Sequence, residues 1–134
     1  MMVYCKLNGV SFDVGVAIAD YKRKLNILHG ENAGRVMSGN MVLDPIGAYL
    51  GREITFFRKG DNYQAMDELW AFLVEHSLDR EGVMAEVADG QTSISYQAYY
   101  GDTEQVLEKV DGGVNYWGDI KLSLIPMKAQ VKPK

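Results

Sequence analysis

The sequence predicts a mainly β (α+β) domain: an antiparallel β-sandwich or partly open barrel with one packed amphipathic helix over about residues 62–76. Three observations predict it. Short apolar runs of strand character fill both ends of the chain, separated by turn pairs such as Asn8-Gly9 and Asp111-Gly112-Gly113. One central stretch alone carries helical three-four spacing, in Met66, Leu69, Trp70, Leu73 and Val74. No Pro- or Ser-rich linker and no repeat divides the 134 residues, a length typical of one domain. We therefore expect a single β-rich domain over 1–128 and a short, charged, flexible tail over 129–134.

Taken in order, residues 3–7 and 10–12 flank Asn8-Gly9, a pair that tolerates the positive φ of a two-residue hairpin turn, so an opening hairpin is expected. Residues 16–28 read as one long strand, partly bulged or projecting beyond the sheet. The stretch 29–34 reads as a turn. Residues 35–43 then alternate Met37, Met41 and Leu43 against Val36, Ser38, Asn40 and Val42, a strand with apolar character on both faces. Pro45 and Gly47 predict a bend or a sheet edge, because proline cannot donate to a ladder. A further strand is expected over 53–58.

Asp61 and Gln64 have the spacing of a capping box, which places the helix start at Asp61. The apolar stripe should bury against the sheet, with Asp67, Glu68 and Glu75 largely outside it. Residues 83–87 and 92–100 flank a turn at 88–91 and should form a hairpin in which Ile94, Tyr96, Ala98 and Tyr100 share one face. Residues 114–127 read as the last strand, ended near Pro126.

Composition excludes several function classes. A net charge of −4 disfavours sequence-specific nucleic-acid binding, and Lys22-Arg23-Lys24 alternate faces on a strand rather than forming a patch. No apolar run is long enough to insert in a bilayer, and the first residues lack a signal core. Cys5 permits no internal disulfide and reads as a small apolar strand residue, which places the chain in cytosol when made.

No catalytic set emerges. His29 and His76 lack partners in sequence, His76 suiting a helix C-terminus and His29 a surface turn. Neither a Cys pair nor a His pair offers zinc spacing, and Asp67-Glu68 diverge on a helix. No phosphate loop, dinucleotide fingerprint, nucleophile elbow or calcium loop occurs, so no catalytic, cofactor or metal residue is assigned, and no obligatory small-molecule ligand is expected. The late aromatics suggest an alternative, a small carbohydrate-binding module using Tyr99, Tyr116 and Trp117.

Residues 33–41 (Ala-Gly-Arg-Val-Met-Ser-Gly-Asn-Met), 44–51 (Asp-Pro-Ile-Gly-Ala-Tyr-Leu-Gly) and 115–127 (Asn-Tyr-Trp-Gly-Asp-Ile-Lys-Leu-Ser-Leu-Ile-Pro-Met) carry a resemblance. The region 9–57, together with 115–127, resembles small tail-module structural proteins of siphophages and prophages of Gram-positive bacteria, of the tail-tube and distal-tail kind. The resemblance implies a non-enzymatic virion component that assembles into rings, commonly hexamers, and contacts other tail proteins. It implies a bacterial cytoplasmic origin and a final place in the virion tail. Residues 16–28 and 35–49 would then make contacts between neighbours, with Tyr21, Arg23, Arg35, Met37, Met41 and Leu43 as candidate interface residues.

Overall fold

The computed structural model describes residues 5–30, 34–35 and 39–132. Strands dominate it, with a single α-helix, and every strand pairing is antiparallel. In chain order the strands are β1 (Cys5–Leu7), β2 (Gly15–Val16), β3 (Lys22–His29), β4 (Gly34–Arg35), β5 (Met41–Val42) and β6 (Pro45–Phe57). The helix α1 (Tyr63–Glu75) follows, then β7 (Val83–Asp89), β8 (Thr92–Tyr99), β9 (Leu107–Asp111), β10 (Val114–Trp117) and β11 (Ile120–Pro126).

Seven strands form one sheet in the order β1-β7-β8-β11-β6-β2, with β3 also paired to β6. The mainly β fold with one helix and antiparallel pairing is as expected. Strand β11 turns the corner: Ile120 to Leu124 pair with β6, whereas Ile125 and Pro126 pair with β8. Two separate ribbons, β9 with β10 and β4 with β5, lie outside this sheet.

One face of the sheet and one face of α1 make the core. Leu7, Ile54, Val83, Ala85, Val87, Ala98, Ile120, Leu122 and Leu124 bury alternate positions of their strands, and Ala65, Met66, Leu69 and Leu73 close over them. Burying a side chain of the size of Leu69 contributes about 1.5–3 kcal/mol. Val74, expected in the stripe, is 57% exposed, and Ala65 takes its place. Met66, Leu69 and Leu73 are buried as expected and Trp70 packs against the core, so the stripe holds and only its ends differ. Asn62 is the N-cap, its Oδ1 accepting from the Ala65 N–H at 3.3 Å, while Asp61 faces solvent and Lys109.

An unusual seam draws the two ends of the sheet together. On one side Ala88 of β7 pairs with Ser93 of β8; on the other, its backbone groups are met by side chains. Its N–H donates to the Tyr21 hydroxyl at 3.0 Å, and its carbonyl accepts from Arg52 Nε and Nη2, both at 3.1 Å. Arg52 also donates to the Gly51 carbonyl and to Asp89, with a side chain only 1% exposed. A buried guanidinium is tolerated here because four acceptor contacts replace its water.

Several expected elements differ. The opening turn forms with Asn8 and Gly9 at positive φ and Leu7 bridged to Val10, but its second arm ends there, and β1 pairs with β7. The long strand 16–28 is interrupted by a 3-10 turn at Ile18–Asp20. The strand expected over 35–43 is instead the β4–β5 ribbon. Of the two expectations for Pro45 and Gly47, the sheet edge holds: both lie in the stretch of β6 that extends beyond β11. Pro45 is the first residue of β6, beside an irregularity at Leu28/His29 where no proline donor is needed, and Gly47 lies under Ala129. The last strand splits at Gly118-Asp119, and β9 was not anticipated; Gly112 and Gly113, both at positive φ, turn it into β10.

Candidate functional site

The most distinctive surface is a two-stranded arm. Along its second half β6 is central, with β11 on one side. Its first seven residues, Pro45 to Gly51, extend beyond β11 by about 23 Å and keep β3 as their strand partner. Among the described residues the free side of this stretch is held by residues 130–131: Ala48 bridges Val131, and the Leu50 N–H donates to Gln130 Oε1 at 2.9 Å. The tail expected to be mobile is therefore docked through Gln130 and Val131.

All of β3 from Lys22 to Leu28 is exposed, and its outer edge has no strand beside it among the described residues. Register places Arg23, Leu25 and Ile27 on the same face as Arg52, Leu50 and Ala48. Leu25 and Ile27 are 62% and 58% exposed, and Ile46, Met41 and Leu43 are also open to solvent. A long edge with apolar side chains is the kind of surface soluble monomers avoid, because it templates pairing with another chain.

The opposite face of the arm's base is charged. Glu53 is buried against three ammonium groups: Lys24 at 2.7 Å, Lys121 at 2.8 Å and Lys22 at 3.8 Å. The hydrogen bonds from Lys121 and Lys24 pull its carboxyl down to about 2. Three cations on one anion leave this point positive.

The candidate interface residues fall in different places. Tyr21 belongs to the seam, half-buried, and is not a free contact residue. Arg23 is exposed beside Asp89 at 3.3 Å. Met41 and Leu43 are exposed near the arm. Arg35 contributes backbone to β4, its side chain outside the described residues, as is all of Met37. Leu25, Ile27 and Ile46 were missed: in the sequence they look like ordinary strand interior, and only the length of β6 relative to β11 exposes them.

The late aromatics are dispersed. Tyr99 is exposed on β8 opposite Ile125. Tyr116 lies between Arg58 and Lys109, at 4.9 and 4.6 Å from its ring centre, with Tyr63 packed edge-on. Trp117 borders a hollow of about 200 Å³ with Asp67, Trp70 and Gln105. Among the described residues none of the three stacks on another.

His76 caps α1 and binds Asp79 through Nδ1 at 2.6 Å, a contact that ties the helix end to the next turn. His29 is half-buried rather than fully on the surface. Cys5 is partly buried in a strand, and burial pushes its thiol up to about 12. Among the described residues no cluster of His, Cys, Asp or Glu has the form of a metal site, and no helix is long and apolar enough to cross a membrane.

No family model, curated protein or solved structure matches this chain.

An open groove of about 870 Å³ lies between the 101–106 segment and the outer face of β11, with Lys121 and Ser123 also in its lining. Carboxylates dominate its rim, while Val106 and Ile125 add apolar surface.

Proposed function

We propose that the chain is a non-enzymatic structural component that assembles with copies of itself, as a ring or as a layer against other proteins, in the tail of a phage or prophage. The observation that supports self-assembly is the projecting arm: an eight-residue edge strand, unpaired on one side among the described residues, with Leu25 and Ile27 exposed along it. An isolated monomer would keep this surface in water at a hydrophobic cost, and pairing with a neighbour removes it. The assignment to a tail rests on the resemblance carried by residues 9–57 and 115–127. In this reading the protein is made in the bacterial cytoplasm and ends in the virion.

Light scattering behind size exclusion, over a range of protein concentration, tests it. The expected result is a discrete ring mass or reversible growth in the wild type, and loss of both in Leu25→Lys/Ile27→Lys with thermal stability retained. A strictly monomeric wild type at high concentration, from a gene with no tail genes beside it, would overturn the reading.

A further inference from the structure

An arm with an open edge needs a strand to pair with. We propose that β3 pairs antiparallel with β3 of a second copy of this chain about a two-fold axis at Leu25, an inference that rests on the self-assembly reading.

The ladder of β6 fixes which backbone groups of the arm are open. On the inner edge the Ala48 N–H donates to the Val131 carbonyl at 2.9 Å. The side-chain amide of Gln130 serves both groups of Leu50, accepting from its N–H at 2.9 Å and donating to its carbonyl at 3.1 Å. Residues along a strand alternate in the edge they serve, so Gly47, Tyr49 and Gly51 turn their groups toward Leu28, Asn26 and Lys24 of β3. Arg23, Leu25 and Ile27 therefore direct N–H and C=O to the outer edge, where no described strand receives them. With Ala48 and Leu50 satisfied on the inner edge, the outer edge is the longer one left for a further strand.

A second β3 matches this edge in length. It offers eight residues, against three in β1 and five in β9, whose outer edges also lack a strand among the described residues. Register then selects the position of the axis. Both partners must direct their backbone to the shared edge, which pairs odd residues with odd ones. An axis at Arg23 or Lys24 sets like charges directly opposite each other, which destabilises the pair. An axis at Asn26 or beyond shortens the overlap and brings in His29, where β3 is already irregular against β6. At Leu25, Arg23 faces Ile27, Lys24 faces Asn26 and Lys22 faces Leu28, so no like charges oppose and all of 22–28 is paired.

Side chains agree with this register. Lys22 and Lys24 keep Glu53, and Arg23 keeps Asp89, within each copy, so the partner need supply no charge. The two Leu25 side chains meet across the axis with Ile27 on the diagonal, and Leu50 and Ala48 of each β6 share their face. The contact is isologous. It joins copies in pairs, and larger assemblies built on it through a further contact hold even numbers of copies.

Cysteine cross-linking reads the register directly. Lys24→Cys and Asn26→Cys, both at exposed positions, are made as separate proteins and mixed under mild oxidation. Burial pushes the native Cys5 thiol up to about 12, which keeps it out of the reaction. About an axis at Leu25, position 24 of one copy lies opposite position 26 of the other, within disulfide reach, whereas 24 to 24 and 26 to 26 are diagonals about 7–8 Å apart. The expected product is the mixed dimer, roughly tenfold or more above either homodimer and above a mixture of Asn26→Cys with a Glu68→Cys control, because pairing concentrates the two thiols. Dominance of either homodimer would overturn the axis at Leu25. Yields no higher than the control, with scattering still showing oligomers, would overturn β3 pairing and leave self-assembly standing. Strictly monomeric protein without cross-links would overturn both.

Discussion

Replacing Arg52 by methionine is expected to unzip the seam that draws the sheet ends together. The two side chains have similar length and apolar bulk, so the substitution isolates the polar role. It removes both donors to the Ala88 carbonyl and the donor to the Gly51 carbonyl, in a place where the Arg52 side chain is 1% exposed. A buried acceptor left without a donor costs about 1–3 kcal/mol, and relief from desolvating the guanidinium offsets part of the total. The expected loss is therefore about 2–4 kcal/mol, which lowers the melting temperature by roughly 7–14 °C for a chain of this length. Tyr21→Phe strips the acceptor from the neighbouring Ala88 N–H. Its own cost should be about 1–2 kcal/mol, and less than additive with Arg52→Met because both act on the backbone of one residue, Ala88. Urea unfolding of the two single variants and the double variant measures this. A change below about 1 kcal/mol in Arg52→Met, with the denaturant slope unaltered, would refute the claim that these hydrogen bonds close the sheet and would assign the site to packing alone.

Three further outcomes follow from the geometry. Asn62→Ala should destabilise the helix by about 1 kcal/mol, whereas Asp61→Ala should be near neutral; thermal unfolding that ranked them the other way would return the cap to Asp61. Glu53, held down to about 2 against an ordinary value of 4.5, contributes stability that is complete above about pH 5 and is lost as pH falls through its folded value. Melting curves between pH 5 and 2 should fall less steeply in Glu53→Gln, and parallel curves would remove Glu53 from the acid response. Cys5, raised from 9.0 to about 12, should react with an alkylating reagent at pH 8 about a thousandfold more slowly in the native protein than after denaturation, and equal rates would show the thiol to be open.

Much of the fold was legible in residues close in sequence. Asn8-Gly9 and Gly112-Gly113 form their turns because their need for positive φ is local. The helix lies where three-four spacing put it, and the 83–100 hairpin pairs as its alternation implied, with Asp89 opposite Thr92. Local signals failed where two elements compete for one backbone group. Asp61 and Asn62 can each cap a helix, and the choice fell to Asn62, whose Nδ2 is anchored on Asp13 from a distant loop. Pro45 and Gly47 signalled a bend or a sheet edge without saying which; pairing with β3 and the packing of Ala129 over Gly47 decide for an edge strand that begins at Pro45.

The candidate site was visible only in part. Residues 16–28 stood out as a long strand, partly bulged or projecting beyond the sheet, and the basic run was in view. That β3 is an outer edge, that Leu25 and Ile27 face water, and that Tyr21 is spent on the seam depend on which strand ends beside which. By itself the sequence determined the periodicities, the turns and the absence of a recognised catalytic motif, all of which are set by neighbours along the chain. Tertiary structure alone decided that β6 outruns β11 and leaves an arm, and that carboxylates from 102, 104 and 119 gather in one groove, because pairing over long sequence separations is chosen by the fit of whole faces rather than by any one residue.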